Sequence, residues 1–475
     1  MANLFASLNV ASSALNVFDQ ALEVTSNNVT NASTPGYARQ RASFEALPFD
    51  PAQGNVGGVT AGEVQSARDE YAESQVRSQV QAWGGSDQEA TSLAALEAVF
   101  PVADNSGIAS ALNDLYSSLS QWSTDPNDAS ARQSVLASAD GVARGFRQAA
   151  ADLAQTQSDV EAQIRAAVNQ INTLGSQLQQ INQERLRSGH PDAGLDARLH
   201  STLENLAEWV DFTASVQPDG SVTVLLGGQT PLVIGGRSYT LSTSAGSDAR
   251  PAGSAPPAVT VRSADGADIT AQISSGRLGG LLDVRNRVLP SYLGDANQPG
   301  DLNRLAKGLA DQMNQILEAG WASDGPPPVP GTPLFSYDTS SDAAVAQTVS
   351  VNSDLSADQL AAIDPGPPYS SNGTALKLAD LATQSGQIDG QSFTGFYGEL
   401  SARAGREVAA ARESRDAQQQ LVAQARSLRD EISGVSLDEE AACLMQFQRS
   451  YQAVAKMVSV LDDLTQTTIN MASAT

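Results

Sequence analysis

Residues 4–29 carry one narrow apolar stripe. Apolar or small side chains recur in steps of three and four, and the positions between them are mostly Ser, Asn, Asp, Gln and Glu. This is the a/d spacing of a heptad repeat, which predicts an amphipathic helix with a single buried edge. Because one such edge buries too little apolar area to hold a helix in water, the helix needs a partner. The seam positions are Leu4, Leu8, Ala11, Leu15, Phe18, Leu22, Thr25 and Val29.

A second stripe with the same spacing lies near the other end of the chain, at residues 444–471. The sequence therefore predicts that two terminal helices pair along their seams, with the rest of the protein folded between them. The alternative is a pair of ordinary amphipathic helices that each pack on a globular core. The second set of seam positions is Leu444, Phe447, Tyr451, Val454, Val458, Leu461 and Leu464, continued by Thr468 and Met471.

Local signals mark where these two helices meet the rest of the chain. Ser436 followed by Glu439 fits a capping box, in which Ser436 is the N-cap of the C-terminal helix and the Glu439 side chain reaches back. Pro35 and Gly36 suit the central positions of a type II turn, where the glycine takes a positive φ. The proline also pushes Thr34 into an extended conformation, so the first helix is expected to end there.

The rest of the chain alternates between extended and helical patterns. Residues 38–62 predict strands and loops, because prolines and glycines interrupt their apolar positions. Residues 129–186 predict one long helix, and the helical tract at 395–432 is its expected partner. Shorter helices are predicted at 63–100, with a possible break at Gly84-Gly85, and at 108–122, 278–293 and 302–319.

Residues 207–275 have the pattern of short strands. The runs at 210–216 and 221–226 are rich in Val, Thr and Leu, and a Pro-Asp-Gly turn separates them. Further apolar runs follow, divided by paired glycines, and 243–257 has the composition of a loop. We predict a small β-rich domain inserted into the helical one.

These elements predict a mainly α fold with a smaller β part, in an elongated multidomain protein. Residues 1–37 and 434–475 form a terminal coiled-coil domain. Residues 38–206 and 276–433 form a central domain of long helices, and residues 207–275 form the inserted β-rich outer domain.

The net charge of −25 argues against nucleic acid or an anionic membrane as a partner, because both require clustered Lys and Arg. An acidic balance mainly keeps a protein soluble. No apolar run is long enough to span a bilayer. The first residues lack a basic segment followed by an apolar core, so no cleaved secretory signal is expected.

Candidate chemistry is sparse. The single cysteine, Cys443, excludes an internal disulfide framework, and its acidic neighbours do not favour a reactive thiolate. His190 and His200 have no spacing typical of metal ligands. The chain contains no GxSxG motif, no P-loop and no Cys/His cluster. We therefore predict a protein that is not an enzyme, with no catalytic residues, no cofactor and no metal site.

Two terminal motifs resemble those of a known group of proteins. Residues 26–37, which include Asn31, Thr34, Pro35, Gly36 and Tyr37, resemble the N-terminal signature of bacterial flagellar axial proteins. Residues 433–442 and 446–456 resemble their C-terminal signature. The resemblance implies that, as in that group, the terminal helices of this chain form a coiled coil that lines a tubular assembly.

The middle of the chain narrows the resemblance to the FlgK family of hook-associated proteins. The segments that carry it are 195–198, 217–224, 227–228, 231–233, 276–286, 289–290 and 302–306. It implies a structural subunit that forms a junction ring between hook and filament and allows filament assembly. Another axial subunit of the hook or distal rod, or a secreted coiled-coil effector, remains the alternative.

The family resemblance also implies partners and a location. The expected partners are further copies of the chain in the ring, the hook protein and the second junction protein. An export chaperone is expected on the C-terminal region from about Ser436. The flagellar type III apparatus would export the chain without cleavage, which places it outside the cell.

Overall fold

The computed structural model of the chain describes residues 2–50, 55–101, 107–188, 192–244 and 257–473. Helices dominate it, as the sequence predicts. The α-helices in chain order are α1 (Ala2–Asn31), α2 (Glu70–Val99), α3 (Gly107–Thr124), α4 (Ala129–Ser188), α5 (Ala193–Trp209), α6 (Gly276–Asp283), α7 (Leu289–Leu293), α8 (Asp301–Glu318), α9 (Val345–Thr348), α10 (Gly373–Asp380), α11 (Phe393–Ser433) and α12 (Leu437–Ser473).

The strands are short. In chain order they are β1 (Gln40–Arg41), β2 (Phe44–Ala46), β3 (Phe49–Asp50), β4 (Asn55–Val56), β5 (Val59–Ala61), β6 (Gln65–Ser66), β7 (Phe212–Val216), β8 (Val222–Leu226), β9 (Thr230–Ile234), β10 (Arg237–Ser238), β11 (Ser242–Ser244), β12 (Thr260–Arg262), β13 (Trp321–Ser323), β14 (Val329–Pro330), β15 (Phe335–Ser336) and β16 (Ser350–Val351). A π-helical turn, Val284–Val288, joins α6 to α7, and single 3-10 turns are formed by Thr270–Gln272, Asp342–Ala344 and Ala357–Gln359.

The two terminal helices pack along each other. The last turn of α1 meets the first turn of α12, where Asn28 donates to the Glu440 carboxylate. Since the helices meet at these ends and stay in contact, they run antiparallel. The pairing of the two chain ends is therefore present within a single copy.

An antiparallel ribbon lies against this helix pair. Strand β1 pairs with β6, β2 with β5 and β3 with β4, so the ribbon runs out from Gln40 and back to Ser66. It contacts α1 through β1, β4 and β5. Phe44 of the ribbon meets Phe447 of α12 edge to face, with ring centroids 6.2 Å apart. This segment thus packs on the terminal helices, although the sequence places it with the central domain.

Helix α2 is continuous through Gly84-Gly85, so the predicted break is wrong. These glycines instead permit close packing. A Cβ at Gly84 would overlap the carbonyl oxygen of Glu208 in α5, and a Cβ at Gly280 in α6 would overlap that of Gly85. Where two backbones approach this closely, a glycine costs less than a displaced helix.

The long tract predicted at 129–186 is confirmed as α4, but its predicted partner is wrong. Helix α11 packs along α2, whereas α4 packs mainly against α3 and α5. The apolar edge of α4 is already covered, because it faces α5, α6 and the β-rich segment. The predicted helices at 108–122, 278–293 and 302–319 correspond to α3, to α6 with α7, and to α8.

Strands β7–β10 form a four-stranded antiparallel sheet in the order β10-β9-β8-β7, and β11 pairs with β12. The sheet packs on α4. Asn182 of α4, which is fully buried, donates to the carbonyl oxygens of Val222 and Gly235 at 2.8 Å and accepts from Val222 N at 2.9 Å. The β-rich segment therefore shares one apolar core with the long helix. The domain boundaries stay a prediction.

Candidate assembly surface

Most of the predicted seam residues of α1 lie beside its fully buried residues and are themselves only half-buried. Fully buried positions of α1 are mostly small, which lets neighbouring elements approach closely, and they are Ala11, Val17, Ala21, Thr25 and Asn28. Val29 is 40% exposed. The remaining predicted seam residues are half-buried, namely Leu4, Leu8, Leu15, Phe18 and Leu22.

On α12, most of the predicted seam faces the protein and part of it faces outward. Tyr451 is 37% exposed and Leu464 is 50% exposed. The other seam residues are half-buried: Leu444, Phe447, Val454, Val458 and Leu461. Cys443 is also half-buried on this helix.

A second apolar row on α12 is only partly contained in the sequence prediction, which lacks Met457 and Val460. Met457, Val460, Leu464 and Met471 are each at least 50% exposed and follow one another in steps of three, four and seven. Residues at these steps share one face of a helix. Contiguous exposed apolar positions mark a site of protein–protein contact. The spacing of α12 does carry a signal for this row, because Leu464 and Met471 belong to both the predicted stripe and the exposed row.

The joint between the terminal helices and the central domain is polar and buried. Asn28 Nδ2 donates to the carbonyl oxygen of Gln40 at 2.8 Å and to Glu440 Oε2 at 3.1 Å. Asn28 Oδ1 accepts from Gln40 N and from the Tyr37 hydroxyl, both at 2.9 Å. Burial, together with the nearby Glu440 carboxylate, raises the pKa of Tyr37 to about 12, so Tyr37 stays a hydrogen-bond donor at neutral pH.

The predicted cap of α12 forms only in part. Ser436 Oγ accepts from Glu439 N at 3.5 Å, and α12 begins at the next residue after Ser436. The Glu439 carboxylate is bound to Arg39 Nη1 at 2.8 Å instead of reaching back to Ser436. Arg39 Nε also lies 2.6 Å from Glu440 Oε1, as a close ion pair rather than an aligned hydrogen bond. A tertiary partner has therefore replaced the local one.

The signature turn has the geometry that the sequence predicts. Tyr37 N donates to the carbonyl oxygen of Thr34 at 3.1 Å, and Gly36 has φ +73°. A Cβ on Gly36 would overlap the carbonyl oxygen of Ala197 in α5, so the turn is pressed against that helix. Asn31 supports the turn, because its side-chain oxygen accepts from the Thr34 hydroxyl at 3.1 Å.

Arg68 connects the turn to two helices. Its Nη2 donates to the carbonyl oxygen of Gly36 at 2.6 Å, its Nε donates to Asp196 of α5 at 2.8 Å, and its Nη1 donates to Glu73 of α2. The Arg68 side chain is only 6% exposed. Sequence reasoning missed this residue, since a lone arginine before a helix gives no signal of three partners.

Further charged groups are buried beside Arg68. Burial raises the pKa of Glu73 above its usual value, although neighbouring arginines oppose the shift. Burial and Arg68 lower the pKa of His200 to about 3, against the opposing effect of Asp196. His200 is therefore neutral at physiological pH. His190 lies outside the described residues.

Within the described ranges, no group of three or more His, Cys, Asp or Glu side chains is placed to hold a metal ion. In the same part of the chain, no helix is both long and apolar enough to cross a bilayer.

Comparison with known proteins decides among the flagellar interpretations. Residues 93–335, more than half of the chain, match the family model of the flagellar hook-associated protein FlgK helical domain. The chain belongs to the FlgK family of flagellar hook-associated proteins. The two ends match families shared with the rod: residues 8–37 match the flagella basal body rod protein family, and residues 426–471 match the C-terminal family of the basal body rod proteins FlgEFG.

Relatives of this FlgK-family chain match it over nearly its whole length. Flagellar hook-associated protein 1 of Bacillus subtilis (strain 168) is 28% identical over 99% of each chain. The protein of that name from Escherichia coli (strain K12) is 24% identical over 98% of this chain and 99% of its own. The structure of the flagellar hook junction protein FlgK from Burkholderia pseudomallei shares the fold, with a TM-score of 0.63 and 17% identity over 76% of this chain and 100% of that one.

Membership of the FlgK family makes this chain a structural component of the flagellar hook–filament junction. The match to the helical domain favours this over a hook or distal rod subunit, because the rod families match only the two ends. The prediction of a flagellar structural subunit is confirmed.

Proposed function

We propose that copies of this FlgK-family chain form a ring between hook and filament, and that the terminal helices make the contacts between copies. The observation that carries the proposal is the exposed apolar row of α12, Met457, Val460, Leu464 and Met471. It lies in the segment that matches the C-terminal family of the basal body rod proteins FlgEFG, so the same helix is expected to serve assembly here.

Burial of this row gives the ring its driving force. Fully burying a Leu, Val or Met side chain is worth about 1.5–3 kcal/mol. The exposed row and the half-buried seam leucines of α1 together offer several such side chains on each copy. A contact between different faces of neighbouring copies closes into a ring when the rotation between copies allows it. Many modest contacts then stabilise the ring together.

The ring places this chain between two different partners. The hook protein lies on one side, and the second junction protein lies on the other, with the filament beyond it. Before assembly, an export chaperone covers the C-terminal region from about Ser436, which includes the exposed row. The flagellar type III apparatus then exports the chain without cleavage, and the chain functions outside the cell. The net charge of −25 supports solubility before assembly.

The experiment that tests the ring is deletion of this chain in its native cell. Electron microscopy shows the appendages, and an assay of the medium measures free flagellin. We expect intact hooks, no filaments and flagellin released as monomer, with all three defects reversed by the wild-type chain. Missing hooks would move the chain inward to the hook or rod, and normal filaments would contradict a role in filament assembly.

A further inference from the structure

A polar pair is buried inside the contact between the terminal helices. Asn28 is 1% exposed and Glu440 is 2% exposed. The Asn28 amide makes four hydrogen bonds, two donated and two accepted, so its capacity is used in full. Such a pair adds little net stability over an apolar pair, so its value lies elsewhere.

The apolar seams by themselves do not define one alignment of the two helices. The predicted seam positions of α1, and those of α12 from Leu444 to Leu461, recur every seven residues. A slip of one helix by seven residues, about 10 Å, again sets apolar positions against apolar positions. Apolar packing alone therefore leaves several alignments close in free energy.

The polar pair distinguishes these alignments. In the observed antiparallel alignment, Asn28 is level with Glu440. A seven-residue slip in one direction places Asn28 level with Phe447, and a slip in the other direction places Glu440 level with Ala21. Either slip leaves a buried amide or carboxylate without its partners, which is strongly unfavourable.

We infer that Asn28 and Glu440 form a register lock, which fixes the axial alignment of the two terminal helices. A fixed alignment sets the height at which each apolar side chain of α1 and α12 is presented to a neighbouring copy. This inference deepens the proposed function, because a ring of identical contacts needs every copy to present its helices at the same height.

The register can be read with the native cysteine. Cys443 lies three residues after Glu440, so in the locked alignment it is level with Thr25, three residues before Asn28. After a seven-residue slip it is level with Phe18. The test uses the full-length chain with Thr25→Cys or Phe18→Cys, mild oxidation at low concentration, and quantification of the intramolecular disulfide by mass spectrometry.

In the wild-type background, we expect the disulfide at position 25 to exceed that at position 18. In the double variant Asn28→Leu/Glu440→Leu, the ratio of disulfide at 18 to disulfide at 25 should rise about tenfold or more, because the slipped alignments lose their penalty. The control pair Asn16→Leu/Asp462→Leu adds the same apolar side chains at exposed positions of α1 and α12 and should leave the ratio unchanged.

A conservative variant distinguishes loss of the register lock from general damage to the fold. Glu440→Gln keeps an amide oxygen that accepts from Asn28, so it should retain the wild-type ratio. An unchanged ratio in the double leucine variant, or equal cross-linking at both positions in the wild type, would overturn the register lock. The readout comes from the isolated chain, so normal filaments in the deletion strain would contradict the proposed ring while leaving the lock intact.

Discussion

His200 carries no charge at the centre of a charged joint. It is 4% exposed, and its neighbours include Arg68, Glu73 and Asp196. Burial is the largest cause of its lowered pKa, and the positive charge of Arg68 adds to it. The folded protein therefore binds a proton at His200 only near pH 3, whereas the unfolded chain binds one near pH 6.5.

This difference predicts a pH dependence of stability. As pH falls, the unfolded state takes up the proton at His200 before the folded state does. The contribution of neutral His200 to the unfolding free energy is therefore fully present above about pH 6.5 and is lost as pH falls toward 3. Between pH 7 and pH 5, the wild type should lose about 2 kcal/mol of unfolding free energy relative to His200→Gln. Urea unfolding of both proteins at the two pH values measures it, and parallel pH curves would contradict the neutral His200.

Gly36 is required at the signature turn for two reasons, its positive φ and its contact with α5. Gly36→Ala should lower the unfolding free energy by about 1–3 kcal/mol, because the added Cβ is strained and overlaps Ala197. The matched control is Gly141→Ala inside α4, where nothing lies within 4 Å of an added Cβ. That change should raise stability by about 0.5–1 kcal/mol. Thermal unfolding of both variants compares the signs, and equal signs would contradict this view of Gly36.

At the scale of elements, the terminal helices have apolar residues that are buried within one copy and other apolar residues that are exposed at its surface. Small buried residues such as Ala11 and Ala21 let neighbouring elements approach α1 closely. Larger apolar residues such as Leu15 lie at the margin, and others such as Leu464 face outward. One helix pair therefore serves both the fold of a single copy and, as we propose, its contacts with others.

Charge on the seam is expected to block assembly more than folding. Leu15→Asp or Leu461→Asp should leave the central helices folded, because both residues lie in the terminal pair, but should stop incorporation into the flagellum. The controls are Asn16→Asp and Ser459→Asp, which add the same charge at exposed positions of the same helices. Circular dichroism measures the fold, and labelling of appendages measures incorporation. Normal incorporation of both seam variants would contradict the seam.

At the scale of the whole molecule, the joint sets the direction in which the terminal helices leave the central domain. The last turn of α1 lies between two open clefts of about 750 and 720 Å³, both of which are lined in part by Asn27. Beside these clefts, Arg68 connects the turn at Gly36 to α2 and α5. We expect the orientation of the helix pair to depend on this one side chain.

Loss of Arg68 should change the shape of the molecule. Arg68→Met removes three hydrogen bonds and leaves Glu73 buried without this arginine, so the joint should loosen while the helices persist. Small-angle X-ray scattering should show a broader distribution of interatomic distances than in the wild type. The control is Arg144→Met, whose side chain is 66% exposed on α4 and pairs with Asp140 of the same helix. Identical scattering from both variants would contradict the role of Arg68.

The heptad spacing, the Pro-Gly turn and the strand pattern of 207–275 predicted the terminal helices, the turn and the sheet, because these features depend on nearby residues. Prediction from the sequence failed where a residue distant in the chain replaces the local partner or alters the local role of a side chain or glycine. Glu439 binds Arg39 rather than its own helix end, and Gly84-Gly85 permits packing rather than a break.

The amino-acid sequence by itself determined the period of the helices, the exclusion of an internal disulfide framework and the family of the chain, since each depends on local spacing, composition and motifs. Only the tertiary structure decided which helices pair. Helix α11 packs on α2 and not on α4, although apolar stripes of similar period would allow either. The apolar edge of α4 is covered by α3, α5, α6 and the β-rich segment, whereas α2 accepts α11, with Arg412 of α11 paired to Glu97 of α2. No spacing in the sequence reveals either fact.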